Sequence, residues 1–394
     1  MDGGLLRAFL LVSVLLFGQW LYALEARVLI DEKNHFKTLS GEMRVVCTKS
    51  FAKSCPKKTY ILPYGTWHFE RRGHFLKIKK ENSRAKVTIP GTHFQITGSF
   101  AMDGHLLQRL EVATVNRNTL WVVHLPVDQY LYGVMAAEVP ASWPMETLKA
   151  QAVASRTYFL FKKLGRRNEA YDVRSDILDQ VFKLDAKKYK SIGRAISATH
   201  GLVLMSDKDS QIFPAYFHSD CGGGTSGEDK VWRKPTSYNK AVKDPYCKTA
   251  SKNNWTYYID RHKLLYTLKK IFYLPEGVEL QSILPRLQKA SRAYIVDFIF
   301  SENIVKRISA NELRKILGYG RLKSTNFEVF STWRDVVFRG RGFGHGVGMC
   351  QWGAQRWARK GKDFRFILKH YYPEAHLKRV DPKSFENLQA QFSF

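Results

Sequence analysis

One acidic residue in an apolar stretch is the first feature of the chain that could do chemistry. Glu138 lies in LYGVMAAEVP, residues 131–140, where most neighbouring side chains are apolar. Poor solvation raises the pKa of a carboxyl group, and a carboxyl kept protonated near neutral pH can act as a general acid. The alternative is a structural ion pair with a nearby cation such as Arg156. The sequence therefore predicts either a catalytic acid or a paired carboxylate at Glu138.

Two histidines lie in glycine-rich segments further along. His218 and Ser219 open HSDCGGG, and His345 lies in a run in which glycine takes every second position from 340 to 348. The spacing differs from G-x-G-x-x-G and predicts no nucleotide site. If the run is extended, one face lacks side chains, and a sugar ring or another backbone could lie against it. The alternative for His345 is a buried ring bonded to the backbone.

Three segments of the chain, residues 131–158, 215–232 and 339–373, resemble in their order the characteristic segments of the SpoIID family. These are stage II sporulation protein D-like peptidoglycan lytic transglycosylases, and the resemblance extends from about residue 124 to 373. The run G-x-G-H-G-V-G-M-x-Q-x-G-A is its most specific part. The family usually has Ser-Gln-Tyr where this chain has Cys350, Gln351 and Trp352, so we assign no role to position 350.

The resemblance implies that Glu138 is the catalytic acid of a glycan strand lyase. Such an enzyme cleaves MurNAc–GlcNAc bonds, preferably in strands stripped of peptides, and leaves 1,6-anhydro-MurNAc ends. A hydrolytic glycosidase normally needs two carboxylates, whereas here the attacking group is the C6 hydroxyl of the substrate. Glu228 and Asp229 are the candidates for a second carboxylate, and we expect both to be solvated on a loop surface. The residues to which we assign substrate binding are Arg156, His218, Ser219, His345 and Gln351.

A second function follows from the same resemblance. Some relatives are described as amidase enhancers, so the alternative is a non-catalytic glycan-binding protein that acts with an N-acetylmuramoyl-L-alanine amidase. A protein that only binds glycan would not need Glu138. A serine hydrolase is not expected, because adjacent residues of a strand such as His218 and Ser219 point in opposite directions.

The charge of the chain points to an acidic partner. The 394 residues carry a formal net charge of +28, and a hydrophobic content of 44% with 25% charged residues is typical of a globular protein. Such a surface attracts polyanions, and the lactyl carboxylates of peptide-free glycan strands form one. The chain is expected to be exported, which argues against nucleic acid as its partner.

The expectation of export comes from the first residues. Residues 1–26 predict a signal peptide or an N-terminal membrane anchor, and their most apolar part, 8–18, has the length of a signal peptide rather than of a transmembrane helix. Cleavage would release a periplasmic or cell-envelope protein. Without cleavage, the segment would anchor the protein to the inner membrane.

Five cysteines are consistent with a compartment in which thiols can pair. Cys47 and Cys55 flank a short basic loop, and Cys221 and Cys247 flank the second glycine-rich loop. Cys221 and Cys247 could form a disulfide, they could join His218 in a structural zinc site whose fourth ligand is not evident, or they could be free thiols. No cofactor is required by the proposed chemistry.

The element pattern predicts a mixed α/β (α+β) fold with a β-rich N-terminal portion and a SpoIID-like substrate groove. Short β-rich runs fill residues 27–124, whereas helices are expected at 144–165, 187–199, 264–273 and 311–317. A strand is expected at 212–217, and Asp363 is expected to cap a helix that continues through Tyr371. The predicted regions are a leader at 1–26, a basic β-rich region at 27–124, a catalytic domain at 125–374 and a tail at 375–394.

Overall fold

The computed structural model describes residues 24–32, 34–49, 55–56, 58–184, 189–232, 235–236, 238–250, 254–288 and 292–391. Nearly all of the predicted signal peptide or anchor, residues 1–23, therefore lies outside the described residues, as do the last three residues of the predicted tail. Within the described ranges, no helix combines the length and the apolar character needed to cross a membrane.

The predicted mixed α/β fold class is confirmed. The strands in the described residues are Glu25–Asp31 (β1), Phe36–Lys49 (β2), Tyr60–Arg72 (β3), Phe75–Lys80 (β4), Lys86–Pro90 (β5), His93–Met102 (β6), His105–Val115 (β7), Asn118–Pro126 (β8), Val173–Arg174 (β9), Leu202–Ser206 (β10), Phe217–His218 (β11), Asn254–Asp260 (β12), Leu280–Leu287 (β13), Ala293–Phe300 (β14), Val305–Ser309 (β15), Phe327–Ser331 (β16), Asp335–Arg341 (β17), Met349–Cys350 (β18) and Ala375–Arg379 (β19). The helices are Val127–Glu138 (α1), Met145–Gly165 (α2), Lys190–Ala198 (α3), Pro245–Ala250 (α4), Arg261–Phe272 (α5), Ala310–Leu317 (α6), Gln351–Arg359 (α7), Phe364–Tyr371 (α8) and Pro382–Gln391 (α9).

The chain forms two compact units from interleaved segments. The first unit comprises the chain up to Ala141, the segment Phe159–Gly201 and the chain from Arg379 onward. The second unit comprises Ser142–Tyr158 and Leu202–Lys378.

A nine-stranded sheet dominates the first unit. Its strand order is β5-β4-β3-β2-β6-β7-β8-β1-β9, and all its pairs are antiparallel except β1 with β9. Strand β4 alternates buried Leu76 and Ile78 with exposed lysines, as expected for a sheet with one solvated face. Strand β8 is buried on both faces and leads directly into α1. The sheet therefore carries the helix that ends at Glu138.

The second unit contains smaller sheets, each of two or three strands. Two are three-stranded, β12-β17-β16 and β13-β14-β15, and they share one apolar core with α5 and α6. A second core includes the first part of α2 together with α7 and α8. Asp363 caps α8 as predicted, since its Oδ1 accepts the Phe366 N–H at 2.8 Å.

The strand predicted at 212–217 is wrong for most of its length. Only a single bridge at Ile212 and the short strand β11 form there. Pro214 lacks a backbone donor for a continuous ladder, and its carbonyl instead accepts the Tyr216 N–H at 2.7 Å. The chain consequently reaches His218 through an irregular segment.

Candidate functional site

Glu138 is the last residue of α1 in the first unit. The backbone turns extended at Val139, and the Glu138 side chain is half-buried. Its Oε1 accepts the backbone N–H of Val181 at 3.1 Å. The carboxyl group is therefore fixed at a rigid helix end by a partner from a loop 43 residues away in sequence.

Three contacts hold that loop against α1. The Tyr130 hydroxyl donates to Gln180 Oε1 at 2.9 Å, and the Tyr130 ring stacks on Phe182 with a centroid separation of 5.5 Å. Gly133 allows the close approach, because a Cβ there would lie 2.7 Å from the Lys183 carbonyl oxygen. The geometry around Glu138 thus depends on Gly133, which precedes it by five residues in the same helix.

Buried carboxylates fix the base of the same loop. Asp172 is fully buried and accepts from Arg27 Nη2 at 2.6 Å and Lys163 Nζ at 2.9 Å. Asp179 accepts from Lys162 Nζ at 2.7 Å and from Arg166. Burial alone would raise the pKa of Asp179, but these ion pairs lower it. The loop that positions Glu138 is therefore charged, paired and anchored rather than loosely solvated.

The glycine run of the second unit is not extended, which corrects the sequence-based interpretation. The φ angles of Gly342, Gly344, Gly346 and Gly348 are +81°, +108°, +86° and +70°. A Cβ at Gly342 would lie 2.5 Å from the Asp220 carbonyl oxygen, and one at Gly344 would lie 2.8 Å from His218 Cβ. The face without side chains is covered by the chain's own segment around His218. In this structure the glycines therefore pack against other backbone of the same chain.

Backbone pairing joins the two histidine segments. Strand β11 pairs in parallel with β18, and single bridges join Asp220 to Phe343 and Ser226 to Val347. The glycines at 342, 344 and 348 permit this close approach, since a Cβ at any of them would clash with the segment around His218. His218 and His345 are thereby brought together, with ring centroids 5.6 Å apart.

Each histidine has a defined backbone partner. His218 Nδ1 donates to the Val347 carbonyl at 3.1 Å, and His345 Nδ1 accepts the Val347 N–H at 3.1 Å. His218 is 4% exposed, and its Nε2 is buried without a hydrogen-bond partner. Trp232 packs beside His345, with ring centroids 5.3 Å apart, and its ring centroid lies 4.4 Å from that of Tyr216. The unpartnered Nε2 marks this cluster as the place where a polar ligand group could bind.

Acidification should destabilise the unit that holds these histidines. Burial lowers the pKa of His345 from 6.5 to about 3, with nearby Arg314 and Arg292 adding to the effect, and burial also lowers the pKa of His218. As the pH falls, these histidines therefore take up protons at a higher pH in the unfolded chain than in the folded protein. The stabilising contribution of neutral His345 is complete above pH ~6.5 and is lost as the pH falls toward the folded value, by at most about 1.4 kcal/mol per pH unit.

The His345→Asn variant tests this expectation, since its amide oxygen can still accept the Val347 N–H but cannot titrate. Its melting temperature should fall less steeply than that of the wild type between about pH 6.5 and pH 4. The exposed His262→Asn is the matched control and should keep the wild-type slope. Parallel slopes for all three proteins would contradict the assignment.

Two other residues predicted to bind substrate, Gln351 and Arg156, are buried, and a third, Ser219, is partly buried. Gln351 is 4% exposed, and its Nε2 donates to Gln151 Oε1 at 3.5 Å. Arg156 is also buried and donates from Nη1 to the Leu202 carbonyl at 3.1 Å. The Ser219 carbonyl accepts the Trp352 N–H at 3.1 Å. These contacts give Gln151, Gln351 and Arg156 clear packing roles, and their part in binding stays a prediction.

The expectation that Glu228 is a solvated loop carboxylate is wrong. Glu228 is 1% exposed and accepts from Thr236 Oγ1 at 2.8 Å and from the Asn239 N–H at 3.1 Å. Its neighbour Asp229 is exposed and pairs with Lys230 at 2.9 Å. Glu228 therefore fastens the loop below Trp232, where backbone donors compensate its charge.

Cys221 and Cys247 are free thiols in the structure, the third of the alternatives considered for them. Cys47 and Cys55 form a disulfide, whereas Cys221, Cys247 and Cys350 are free buried thiols. A group of potential metal ligands within the described residues consists of Cys221, Asp244, Cys247 and Cys350. His218 is not part of it. Sequence reasoning missed Cys350, although its replacement of the family's usual serine was a signal, and it missed Asp244, three residues before Cys247.

Comparison with known proteins agrees with the motifs. Residues 115–205, which include Glu138, match the family described as SpoIID, stage II sporulation protein. An uncharacterised protein of Brachyspira hyodysenteriae is 31% identical over 288 residues, covering 72% of this chain and 75% of that protein. Stage II sporulation protein D of Bacillus subtilis is 30% identical over 284 residues, covering 66% of this chain and 76% of that protein.

A third relative carries a different description. The amidase enhancer of Bacillus subtilis is 28% identical over 292 residues, covering 62% of this chain and 39% of that protein. The similarity thus spans about two thirds or more of the chain in two relatives, and the matched family region includes Glu138. The chain belongs to the SpoIID family.

Proposed function

We propose that the protein is a peptidoglycan lytic transglycosylase of the cell envelope, with Glu138 as its general acid and base. The observation that carries the proposal is the placement of Glu138. One of its oxygens is fixed by the Val181 N–H at 3.1 Å, on a helix end that the nine-stranded sheet supports. A positioned carboxyl of this kind suits proton transfer, which requires a fixed distance to the reacting atom.

The proposed reaction needs one carboxyl group. Protonated Glu138 gives its proton to the glycosidic oxygen as the bond from C1 of MurNAc to that oxygen breaks. The cationic centre at C1 is stabilised by the sugar's own acetamido group. The C6 hydroxyl then attacks C1, and the Glu138 carboxylate accepts the hydroxyl proton. Glu138 ends protonated again, the products are a 1,6-anhydro-MurNAc end and a free GlcNAc hydroxyl, and no water is consumed.

The surface charge supports an acidic glycan as substrate. On the N-terminal sheet, exposed Lys79 of β4 lies directly opposite exposed Lys86 of β5. Like charges in such positions repel each other, and a polyanion lying across them would relieve the repulsion. Peptide-free strands present a lactyl carboxylate on every muramic acid, whereas peptide attachment converts these carboxylates to amides.

Binding to peptide-free glycan should therefore exceed binding to intact cell wall and should weaken as salt is added. Attraction between exposed charges is screened within about 10 Å at 0.1 M salt. Pull-down with amidase-treated and untreated sacculi over a salt series measures both effects. The charge reversal of Lys79 and Lys86 to Glu should reduce binding at low salt more than the same reversal of exposed Lys263 and Lys315 in the second unit. Equal, salt-insensitive binding to the two substrates would contradict the proposal.

The second candidate function is enhancement of an amidase, which the similarity to the Bacillus subtilis amidase enhancer favours. The two functions separate in a purified system. Release of anhydro ends from peptide-free strands by the protein alone supports the lyase. Stimulation of a purified N-acetylmuramoyl-L-alanine amidase on intact cell wall, without such ends, supports the enhancer.

A further inference from the structure

Four potential metal ligands from three separate parts of the second unit meet in its core. Cys221 follows β11, Asp244 and Cys247 lie at the start of α4, and Cys350 ends β18. All four residues are fully buried, and their ligand atoms lie within 4.8 Å of one another. A buried carboxyl group is costly unless it is paired or binds a metal ion, and here three thiols lie beside it.

The separations fit tetrahedral coordination. Cys247 Sγ and Cys350 Sγ are 3.6 Å apart, and Cys221 Sγ is 3.5 Å from Asp244 Oδ2. For zinc bound tetrahedrally at about 2.3 Å from sulfur and about 2.0 Å from oxygen, neighbouring sulfurs lie about 3.8 Å apart and sulfur and oxygen about 3.5 Å apart. These two separations therefore require only small movements of the ligand atoms to accept an ion.

We propose that Cys221, Asp244, Cys247 and Cys350 bind one thiophilic divalent metal ion, with zinc as the ion that best suits this ligand set. Three sulfurs and one carboxylate oxygen complete a four-coordinate shell. The site is closed by protein ligands, so its role is structural and it supplies no catalytic step. His218 stays outside the ligand set and keeps its bond to the Val347 carbonyl.

The surroundings of the sulfurs suit bound thiolates. The Gly353 N–H at the start of α7 and the Cys221 N–H each donate to Cys350 Sγ at 3.2 Å. The Gly223 N–H donates to Cys221 Sγ at 3.4 Å, and Arg356 Nη1 donates to Cys247 Sγ at 3.3 Å. Donors of this kind orient and stabilise metal-bound sulfur.

The carboxylate and the charge balance fit as well. The Tyr371 hydroxyl donates to Asp244 Oδ2 at 2.5 Å, which fixes that carboxylate. Three thiolates, one carboxylate and a divalent ion leave two negative charges, and two cations lie nearby. These are Arg356 and the fully buried Arg292, whose Nη2 donates to the Cys221 carbonyl at 2.7 Å. Asp220, which accepts from Cys247 Sγ at 3.1 Å, adds a further acidic group beside the site.

The protonation state of the thiols gives the proposal a pH signature. Cysteine binds a metal ion as the thiolate, so a thiol must lose its proton when the ion binds. Each thiol releases its proton to solvent as it binds the ion. Metal affinity should therefore fall as the pH is lowered.

The site would join the segments that carry the histidine cluster. Cys221 is three residues after His218, and Cys350 is five residues after His345. An ion held by both would tie the β11 loop to the end of the glycine run and to the start of α7. We therefore expect metal removal to loosen the whole second unit.

The test is metal analysis of the full chain purified without chelator. About one zinc per chain is expected, and a strong chelator should lower the melting temperature, which added zinc should restore. Reconstitution of the chelated protein with cobalt should give the intense visible bands of tetrahedral cobalt together with thiolate-to-metal charge transfer. The Cys350→Ala and Asp244→Asn variants should lose most of the metal, whereas the double Cys47→Ala, Cys55→Ala variant should keep it.

A count of reactive thiols keeps the proposal falsifiable if the variants fail to fold. Denatured wild-type protein treated with chelator should expose three thiols, since Cys47 and Cys55 are joined in a disulfide. One reactive thiol and no stoichiometric metal would show a Cys221–Cys247 disulfide and overturn the proposal. Three thiols without bound metal, or a cobalt spectrum without charge transfer, would overturn it too.

Discussion

Glu138→Gln should reduce cleavage of peptide-free glycan strands by on the order of 10²–10⁴-fold, the contribution typical of a general acid–base group. Gln keeps the shape of the side chain, and its amide oxygen can still accept the Val181 N–H that Glu138 Oε1 accepts at 3.1 Å. It can neither protonate the glycosidic oxygen nor take the proton of the C6 hydroxyl. Glycan binding, which depends on the basic surface, should remain nearly intact.

The control for this variant is the same substitution at exposed Glu276, which should retain full activity. Product formation is followed by mass analysis of anhydro ends, and binding by pull-down of amidase-treated sacculi. Wild-type rates of end formation in Glu138→Gln would remove Glu138 from the mechanism. Loss of binding together with cleavage would instead assign the residue to structure or recognition.

Gly342→Ala should destabilise the second unit by roughly 2–5 kcal/mol, the sum of left-handed backbone strain and overpacking. Gly342 has a φ of +81°, and its added Cβ would lie 2.5 Å from the Asp220 carbonyl and 3.1 Å from the backbone N of Gly222. These neighbours are backbone atoms of the loop that carries the histidine and cysteine residues, so they cannot simply rotate away.

Gly361→Ala separates the two contributions. Gly361 has a φ of +80°, but no atom lies within 4 Å of its added Cβ, so this variant should lose only about 1–2 kcal/mol from backbone strain. Urea unfolding of the two variants and the wild type measures the difference. Equal losses would mean that the close packing of the glycine run on the Asp220 segment contributes little to stability.

Local patterns predicted those parts of the fold that local chemistry decides. The capping carboxylate of Asp363 correctly indicated the start of α8, and the apolar spacing after Pro144 correctly indicated α2. The β-rich runs of the N-terminal region became strands of one sheet, although β7 was not predicted. Its sequence, HLLQRLEVATV, has no regular alternation, and its pairing with β6 and β8 decides its conformation.

The features that the sequence did not predict depend on segments that are far apart in the chain and meet in the folded protein. Alternating glycines are equally compatible with an extended strand and with the left-handed backbone that Gly342 adopts, and only the Asp220 segment packed against it decides. Of the four metal-ligand candidates, Cys350 lies 103 residues after Cys247, too far for any spacing rule to join it to the two cysteines that were considered together. Glu228 is buried for the same reason, because its donors lie eight to eleven residues further along the chain.

Digestion of purified peptide-free glycan strands in ¹⁸O-labelled water tests the central proposal most directly. If Glu138 directs intramolecular attack by the C6 hydroxyl, the new muramic acid ends should be 1,6-anhydro ends, lighter than reducing ends by one water and free of the label. The Glu138→Gln variant should form almost none. New reducing ends that carry ¹⁸O would show hydrolysis and contradict the proposed lytic transglycosylase, and so would the absence of any new ends from wild-type digests.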